Sequence, residues 1–487
     1  MPARTEAPVP RRWSAAAVMI VAALMDMIDV TIVNVSLPSL ARDLGASRSA
    51  LQWTISAYLL GFAASLVVAG HLGDRYGRRR LFLLGTAAFG VASLACGSAQ
   101  EPGQLVAARA VQGVAAAVLL PQVLGSFRTL FHGRERATVF GIFGTVLGFA
   151  SALGLLLGGL LTDADLFGWG WRSIFLINVP VALLAFVAAR AVVPPDGRRS
   201  TARPDLLGSL LLAAGLVGVV LPLVQGRSWG WPLWGWVCTG AGAGLVAMVA
   251  GVQSRRGGGA RTPLLPARAF RNPAFGFGLA VQLLFSFAMQ GFFLVFGLWL
   301  QIAQQYTPTQ AGVVTVAFSL GGFVTSPVAG RLAVRYGRWV LIAGGLLMAG
   351  GYAWIGAAVG GAEAVRTGAW PMVPGLLVAG AGLGLLVVPL VNVVLSAVDG
   401  ELAGRASGIF STAQQFGGAL GVAAIGSAFF RRAEDGLGNA LLAALPWAAS
   451  AAVVCALLCL RLPRTAVAEE TYPEVPEDEG TLDRAAV

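Results

Sequence analysis

Long apolar runs recur along the whole chain, and they limit its fold more than any other feature. Each run is at least 20 residues long and is bounded by charged residues or by clusters of proline and glycine. A helix needs about 20 apolar residues to cross a hydrocarbon core about 30 Å thick. The pattern predicts an all-α protein with fourteen spans and both ends on one side of a membrane. The predicted spans are residues 14–37, 49–70, 80–99, 104–127, 138–161, 172–192, 206–225, 232–252, 274–302, 310–330, 338–360, 371–397, 404–429 and 439–460.

The overall composition leads to the same class of protein. The 487 residues are 56% hydrophobic and 12% charged, and the mean hydropathy is +0.75. Soluble domains usually carry about 25% charged residues. We therefore predict an integral, multi-pass membrane protein in contact with lipid. The formal net charge of +11 is attributed to loops, so no nucleic-acid partner is expected.

The basic residues predict the orientation in the membrane. All 34 of them are arginine. If the N-terminus is inside, 26 arginines fall on cytoplasmic segments and 7 on outer segments. Cytoplasmic loops of membrane proteins carry an excess of basic residues. Both chain termini are therefore predicted to be cytoplasmic.

The missing residue types exclude several kinds of chemistry. Without lysine the chain has no phosphate-binding loop of the G-x-x-x-x-G-K-[ST] type and no lysine Schiff base. The four cysteines lie in apolar runs, and His71 and His132 lie in or beside loops. An alternative, a membrane enzyme or receptor, would need an embedded histidine, lysine or metal cluster. We therefore expect no enzymatic activity, no metal and no cofactor.

One short segment occurs twice. Leu72–Arg78 (LGDRYGR) recurs as Leu332–Arg338 (LAVRYGR), 260 positions later, with Val334 in place of Asp74. Both copies follow the second span of a group and enter a short cytoplasmic turn. Two parallel halves with a substrate site between them are a common transporter plan. The predicted divisions are a cytoplasmic N-terminus (1–13), a six-helix bundle (14–192), a linker with two extra spans (193–273), a second six-helix bundle (274–460) and an acidic disordered tail (461–487).

Two carboxylates interrupt the first apolar span. Asp26 and Asp29 are three residues apart, so they lie about 60° apart on one helix face. A charged residue at mid-membrane costs roughly 2.5–3.5 kcal/mol, so such acids usually face a protein interior or water. We interpret this face as the working surface of a transporter.

Counting residues from the outer ends of the spans places other polar residues at a similar depth in the membrane. Asp29 lies roughly 12 Å below the outer end of span 1, and Arg109 and Gln112 lie roughly 8 and 12 Å below the outer end of span 4. We expect the three residues to form one network in which small changes in distance load and release a proton. The alternative is a static ion pair that holds two helices together.

Several motifs together resemble those of a known family. The segment Gly70–Arg79 (GHLGDRYGRR) resembles the signature loop between spans 2 and 3 of the major facilitator superfamily. The segment Asp29–Val35 resembles the first-span motif of its fourteen-span drug:proton antiporters. Further similarities are found at Gln52-Trp53 with Tyr58-Leu59-Leu60, at Leu105 with Arg109, Gln112 and Gly113, at Trp171–Pro180 and at Gly404–Gly408.

The resemblance implies a fold and several residue roles. It implies two six-helix bundles plus two inserted helices, with proton coupling through Asp29 and Arg109. Asp26 has no counterpart in the family pattern, and we add it to the coupling set because of its position. The implied cytoplasmic gate consists of Gly70, Gly73, Asp74, Arg75, Gly77 and Arg78.

The fifth span departs from the family pattern. The antiporter motif there usually reads GPxxGG, but this chain has Leu155 in place of the proline. A weaker kink is expected without proline. The spacing of Gly154, Gly158 and Gly159 still permits close helix packing.

Span 9 offers the best candidates for a substrate cavity. Its phenylalanines surround Met289 and Gln290, and aromatic and methionine surfaces accept varied apolar ligands. Packing or lipid contact is the alternative for each phenylalanine. An amide in lipid needs a partner, so Gln290 is expected to face the cavity. Asn34, Gln112 and Gln414 are further candidates.

The function implied by the resemblance is proton-coupled efflux of drugs or similar amphipathic molecules across the plasma membrane by alternating access. The proton gradient would be the energy source, and a monomer is expected. The alternative is a dedicated exporter of one endogenous metabolite or antibiotic.

Overall fold

The computed structural model describes most of the chain. It covers residues 11–131, 133–195, 206–226, 229–230, 232–255, 272–360, 368–396, 398 and 403–463. Most of the connection between predicted spans 8 and 9, around residues 253–273, lies outside these ranges, as does the predicted acidic tail after residue 463. The predicted domain boundaries there stay predictions.

The amino-terminal set of helices is built from long, mostly apolar segments. Ser47 caps the second helix by accepting a hydrogen bond from the Ala50 amide, and a proline begins the fourth. Both features favour a helix start at these positions. The helices are α1 Arg12–Leu44, α2 Arg48–Tyr76, α3 Arg78–Gly97, α4 Pro102–Leu130, α5 Gly133–Ala164, α6 Ser173–Leu176 and α7 Asn178–Val192.

An inserted pair and a carboxy-terminal set follow. The inserted pair is α8 Leu206–Gln225 and α9 Leu233–Arg255. The carboxy-terminal set is α10 Pro273–Leu298, α11 Pro308–Tyr336, α12 Arg338–Gly360, α13 Val373–Ser396, α14 Ala403–Arg432 and α15 Leu437–Cys459.

The number of membrane crossings is only partly defined by these helices. Within the described residues, nine helices are long and apolar enough to cross a membrane, by length and composition. Each of the fourteen predicted spans overlaps a helix. The all-helical class is therefore observed, and the count of fourteen crossings stays a prediction.

The two sets of helices use the same pairings. In the first set α2 packs on α4, α1 on α5, and α3 on α4 and α7. In the second set α11 packs on α13, α10 on α14, and α12 on α13 and α15. The repeated sequence segment therefore marks a repeated helix arrangement.

The repeated turns also share a backbone geometry. The Gly77 amide donates to the Gly73 carbonyl at 2.9 Å, and the Gly337 amide donates to the Ala333 carbonyl at 2.8 Å. Both turn glycines have positive φ, 103° and 57°. Glycine adopts such angles without the steric cost that a Cβ would add.

The helices of both sets share two ends. We call the end formed by residues 45–47, 98–101 and 433–436 the distal end, and the end with Gly77 and Gly337 the proximal end.

The two sets are hydrogen-bonded to each other near the distal end. Buried Gln52 donates to the carbonyls of Val422 and Ala423 on α14, at 3.0 and 3.2 Å. Gln301, in the turn after α10, donates to the Val35 carbonyl at 2.5 Å.

We call this hydrogen-bonded contact between the two sets the distal seam, and more peripheral contacts extend it. The exposed Arg48 guanidinium lies 3.3 Å from the Glu434 carboxylate. The Asp163 carboxylate accepts from the Thr309 amide at 2.8 Å. The inserted helix α8 packs across the seam on both α2 and α14, and Ser427 donates to the Leu223 carbonyl. The structure is therefore closed at its distal end.

Glycines let α5 lie close to helices on two sides. A Cβ on Gly158 would lie 2.7 Å from the Ile32 carbonyl oxygen of α1, and a Cβ on Gly159 would lie 2.6 Å from the Pro308 carbonyl oxygen. Leu155, in the place of the family's proline, is buried in a helix that continues to Ala164.

We predict that Gly158→Ala destabilises the protein. The new methyl group has no room against the α1 backbone, and overpacking typically costs about 1–3 kcal/mol. A lower midpoint of thermal unfolding, measured by tryptophan fluorescence in detergent, is the expected result. Gly276→Ala is the control, because no atom of the described residues lies within 4 Å of its Cβ position. Equal midpoints for the two variants would contradict the packing argument.

We also predict that Gln52→Ala opens the distal seam. It removes two hydrogen bonds worth about 0.5–1.5 kcal/mol each, and 1.4 kcal/mol changes a population about tenfold. Spin labels at positions 48 and 434, in a Cys238→Ser background, would report the distance between α2 and α14. The variant should raise the population of long distances about tenfold.

The labels themselves replace the exposed Arg48–Glu434 pair, and such pairs contribute little to stability. The same two spin labels are present in every protein that is compared. Gln100→Ala, which removes an exposed amide at the same end, should leave the distances unchanged. An unchanged distribution in Gln52→Ala would show that this glutamine does not hold the seam.

Candidate functional site

The centre of the site is the Asp29 carboxylate, which is fully buried in the interior of the amino-terminal set. Arg109 of α4 donates from Nη1 to Oδ2 at 2.5 Å. Gln112 of α4 and Asn178 of α7 donate to Oδ1 at 2.9 and 2.8 Å. Both carboxylate oxygens are therefore hydrogen-bonded, as a charge buried away from water requires.

Arg109 is also held from several directions and is only 1% exposed. Its Nη1 donates to Gln112 Oε1 at 2.7 Å, and its Nε donates to the Thr54 carbonyl at 3.1 Å. The guanidinium carbon lies 4.2 Å from the ring centroid of Tyr58 and 5.6 Å from that of Phe175. A lysine has neither the planar fork nor the ring-stacking surface that these contacts use.

Gln112 connects the ion pair to α3. Its Nε2 donates to Ser93 Oγ at 2.8 Å, and the Cys96 thiol lies 3.4 Å from its Oε1. The sequence assigned Gln112 to both the network and the substrate cavity. The structure places its fully buried amide in the network.

Asp26, the second intramembrane acid, has a different environment. Tyr58 donates its hydroxyl hydrogen bond to Asp26 Oδ1. No group in the described part of the chain bonds to the buried Oδ2. Tyr58 therefore contacts Asp26 through its hydroxyl group and Arg109 through its ring.

The structure thus brings together Asp29, Arg109 and Gln112, which the sequence placed at similar depths. It adds two side chains that our sequence reasoning did not name as site residues, Asn178 and Tyr58. Asn178 lies six residues, or roughly 9 Å, into its span. The same depth arithmetic, applied to the amides of every span, would have found it.

The predicted gate residues lie at the proximal end. Arg78 donates to the Gly125 carbonyl of α4 at 2.5 Å. Gly73 lies against the Gln122 amide, whereas no atom in the described part of the chain lies within 4 Å of the Cβ position of Gly70. Arg75 stacks on the ring of Tyr76. The side chain of Asp74 lies outside the described residues.

The predicted cavity residues are spread over several helices. Asn34 is buried and donates to carbonyls of its own helix, and Gln414 is exposed. Gln290 is buried and Met289 half-buried on α10. A Cβ on Gly418 would lie 3.0 Å from Gln290 Cγ and 3.2 Å from a Leu59 methyl group. Gln290 therefore lies at the seam between the two sets.

Three phenylalanines of span 9 pack inside the carboxy-terminal set. Phe292 and Phe296 stack with centroids 5.0 Å apart, and Phe292 contacts Tyr352 at 4.8 Å. Phe293 meets Phe318 edge-on at 5.0 Å. For these rings the packing alternative describes the structure.

Comparisons with known proteins agree with this fold. A family model described as Major Facilitator Superfamily matches residues 19–422 and, in a second match, residues 279–474. Among solved structures, a D-xylose-proton symporter matches with a TM-score of 0.67 at 14% identity, over 93% of this chain and 98% of that chain. A POT family transporter matches with a TM-score of 0.68 at 14% identity, over 92% and 95%.

Curated relatives are more similar in sequence. A probable actinorhodin transporter of Streptomyces coelicolor is 39% identical over 87% of this chain and 73% of its own length. The puromycin resistance protein pur8 of Streptomyces alboniger is 38% identical over 86% and 82%. The tetracenomycin C resistance and export protein of Streptomyces glaucescens is 33% identical over 87% and 77%.

The family match covers most of the chain, and it agrees with the repeated helix pairings and with the motifs around Gly77 and Asp29. The chain therefore belongs to the Major Facilitator Superfamily.

Proposed function

We propose that this protein exports antibiotics or similar amphipathic small molecules in exchange for protons, by alternating access. The observation that carries the proposal is the buried ion pair between Asp29 and Arg109. Buried ionisable residues within membrane spans mark proton and substrate pathways. The names of the curated relatives, an actinorhodin transporter and proteins of puromycin and tetracenomycin C resistance, support the substrate class.

The ion pair provides a physical means of coupling. Protonation of Asp29 removes the negative charge that Arg109 faces, and breaking a buried pair costs about 3–5 kcal/mol. One proton moving down about 100 mV and one pH unit releases roughly 3.7 kcal/mol. The two quantities are of similar size, so a single proton is enough to shift the arrangement of α1, α4 and α7. The same energy sustains a substrate gradient of a few hundredfold.

The described conformation is assigned to one state of the cycle. We place the proximal end in the cytoplasm because of the arginine distribution, so both chain termini are cytoplasmic and the closed distal seam faces outward. In this state substrate enters from the inside or from the inner leaflet. The loop with Gly70, Gly73, Asp74, Arg75, Gly77 and Arg78 then closes the cytoplasmic side in the opposite state.

The substrate would bind between the two sets of helices. Gln290 and Met289 on α10, Asn34 on α1 and Gln414 on α14 are the proposed lining residues, with Gln112 at the edge of the coupling network. The buried position of Gln290 at the seam supports this location. A dedicated exporter of one antibiotic remains the second candidate, because the curated relatives carry the names of single compounds.

We predict that Asp29→Asn abolishes proton-driven export while the protein stays folded in the membrane. The amide preserves the shape of the side chain but takes up no proton. Efflux driven by an imposed pH gradient in proteoliposomes is the measurement, normalised to the amount of monodisperse protein. Glu101→Gln is the matched control, because that carboxylate is exposed at the distal end. Full export by Asp29→Asn would rule out this coupling site.

We also predict that cells expressing the protein accumulate less of its substrates, and that a protonophore abolishes the difference. The measurement is uptake of a panel of antibiotics, including puromycin, and fluorescent dyes. Exclusion of many compounds would identify a multidrug pump, and exclusion of one compound would identify a dedicated exporter. Exclusion that persists with the protonophore would overturn proton coupling.

A further inference from the structure

The charges around the ion pair do not balance. Asp26 and Asp29 face one guanidinium, that of Arg109, so the cluster carries a net charge of −1 when both acids are ionised. In the described part of the chain, the titratable and charged groups that act on Asp26 are Tyr58 from α2, Arg109 from α4 and Asp29 from its own helix. A net charge in a low-dielectric interior is strongly unfavourable. One proton on the cluster restores neutrality.

The two carboxyl groups are not equivalent hosts for that proton. Asp29 receives three hydrogen bonds from Arg109, Gln112 and Asn178, spread over both oxygens. Such a donor set stabilises the ionised form. Asp26 receives one hydrogen bond, at Oδ1, and none from the described residues at the buried Oδ2.

We infer that Asp26 is a second proton-binding site and that it carries the resident proton of the cluster, on Oδ2, while Asp29 is ionised. An unpaired buried hydroxyl costs far less than an unpaired buried carboxylate oxygen. The carbonyl oxygen of the acid is then Oδ1, which accepts the Tyr58 hydroxyl. Tyr58 is a positioning residue, because it holds the Asp26 carbonyl and the Arg109 guanidinium at the same time.

This location of the proton on Asp26 extends the proposed coupling mechanism. Only the direction of proton transfer rests on the proposed function. A proton taken up by Asp29 in the outward-open state forms an O–H bond there and releases Arg109. When the seam closes and Arg109 returns, that O–H bond breaks, an O–H bond forms on Asp26, and Asp29 regains its charge. The proton then leaves from Asp26 toward the cytoplasm.

The test is infrared spectroscopy of the resting full-length protein at neutral pH, without substrate or gradient. The expected result is one carbonyl band of a protonated, buried carboxylic acid, lost in Asp26→Asn. The band should move to higher frequency in Tyr58→Phe, because its carbonyl loses a hydrogen bond. It should stay in place in Asn178→Leu, which removes a donor to Asp29 instead.

The opposite pattern would overturn the assignment. A band that moves in Asn178→Leu and not in Tyr58→Phe would place the proton on Asp29. The absence of any such band in the folded wild-type protein would equally refute a resident proton. Either result leaves the proton-driven export assay unaffected. Conversely, export that proves independent of protons would leave the position of the infrared band unaffected. Failure of the proton location on Asp26 and failure of the proposed function are therefore distinguishable.

Discussion

The pairing of a buried carboxylate with a buried guanidinium is the constraint on which this structure depends. Neither charge is stable in a low-dielectric interior without several polar partners. Those partners come from different helices: Asp29 from α1, Arg109 and Gln112 from α4 and Asn178 from α7. The helices of the amino-terminal set are therefore packed around one buried polar network inside an otherwise apolar bundle.

Helix α2 contacts both the buried polar network and the seam between the two sets. On α2, the carbonyl of Thr54 accepts from Arg109, and the side chain of Gln52 donates to backbone carbonyls of α14. The two positions are separated by less than one helical turn. The hydrogen bond to Arg109 and the hydrogen bonds to α14 are therefore made from the same turn of α2. The seam itself includes hydrogen bonds from the buried amides of Gln52 and Gln301 to backbone carbonyls of the opposite set.

The sequence predicted much of the architecture because apolar length and depth are one-dimensional quantities. Apolar runs predicted the helical class, and counting residues from the span ends placed Asp29, Arg109 and Gln112 at one level. Depth does not say which side of a helix faces which neighbour. For this reason Tyr58 was not recognised as a site residue, whereas Asn178 was missed because its depth was not counted. The sequence placed Gln112 in both the network and the cavity, and its amide is hydrogen-bonded within the network.

By itself, the sequence determined that the chain is an all-helical membrane protein with a repeated unit and with two acids on one face of its first helix. These properties follow from local composition and helical periodicity. Only the tertiary structure decided that Asp29 forms an ion pair with Arg109 whereas Asp26 accepts a hydrogen bond from Tyr58, and that the distal seam is closed. Those facts depend on the rotation and approach of helices far apart in the chain, which close packing of side chains determines.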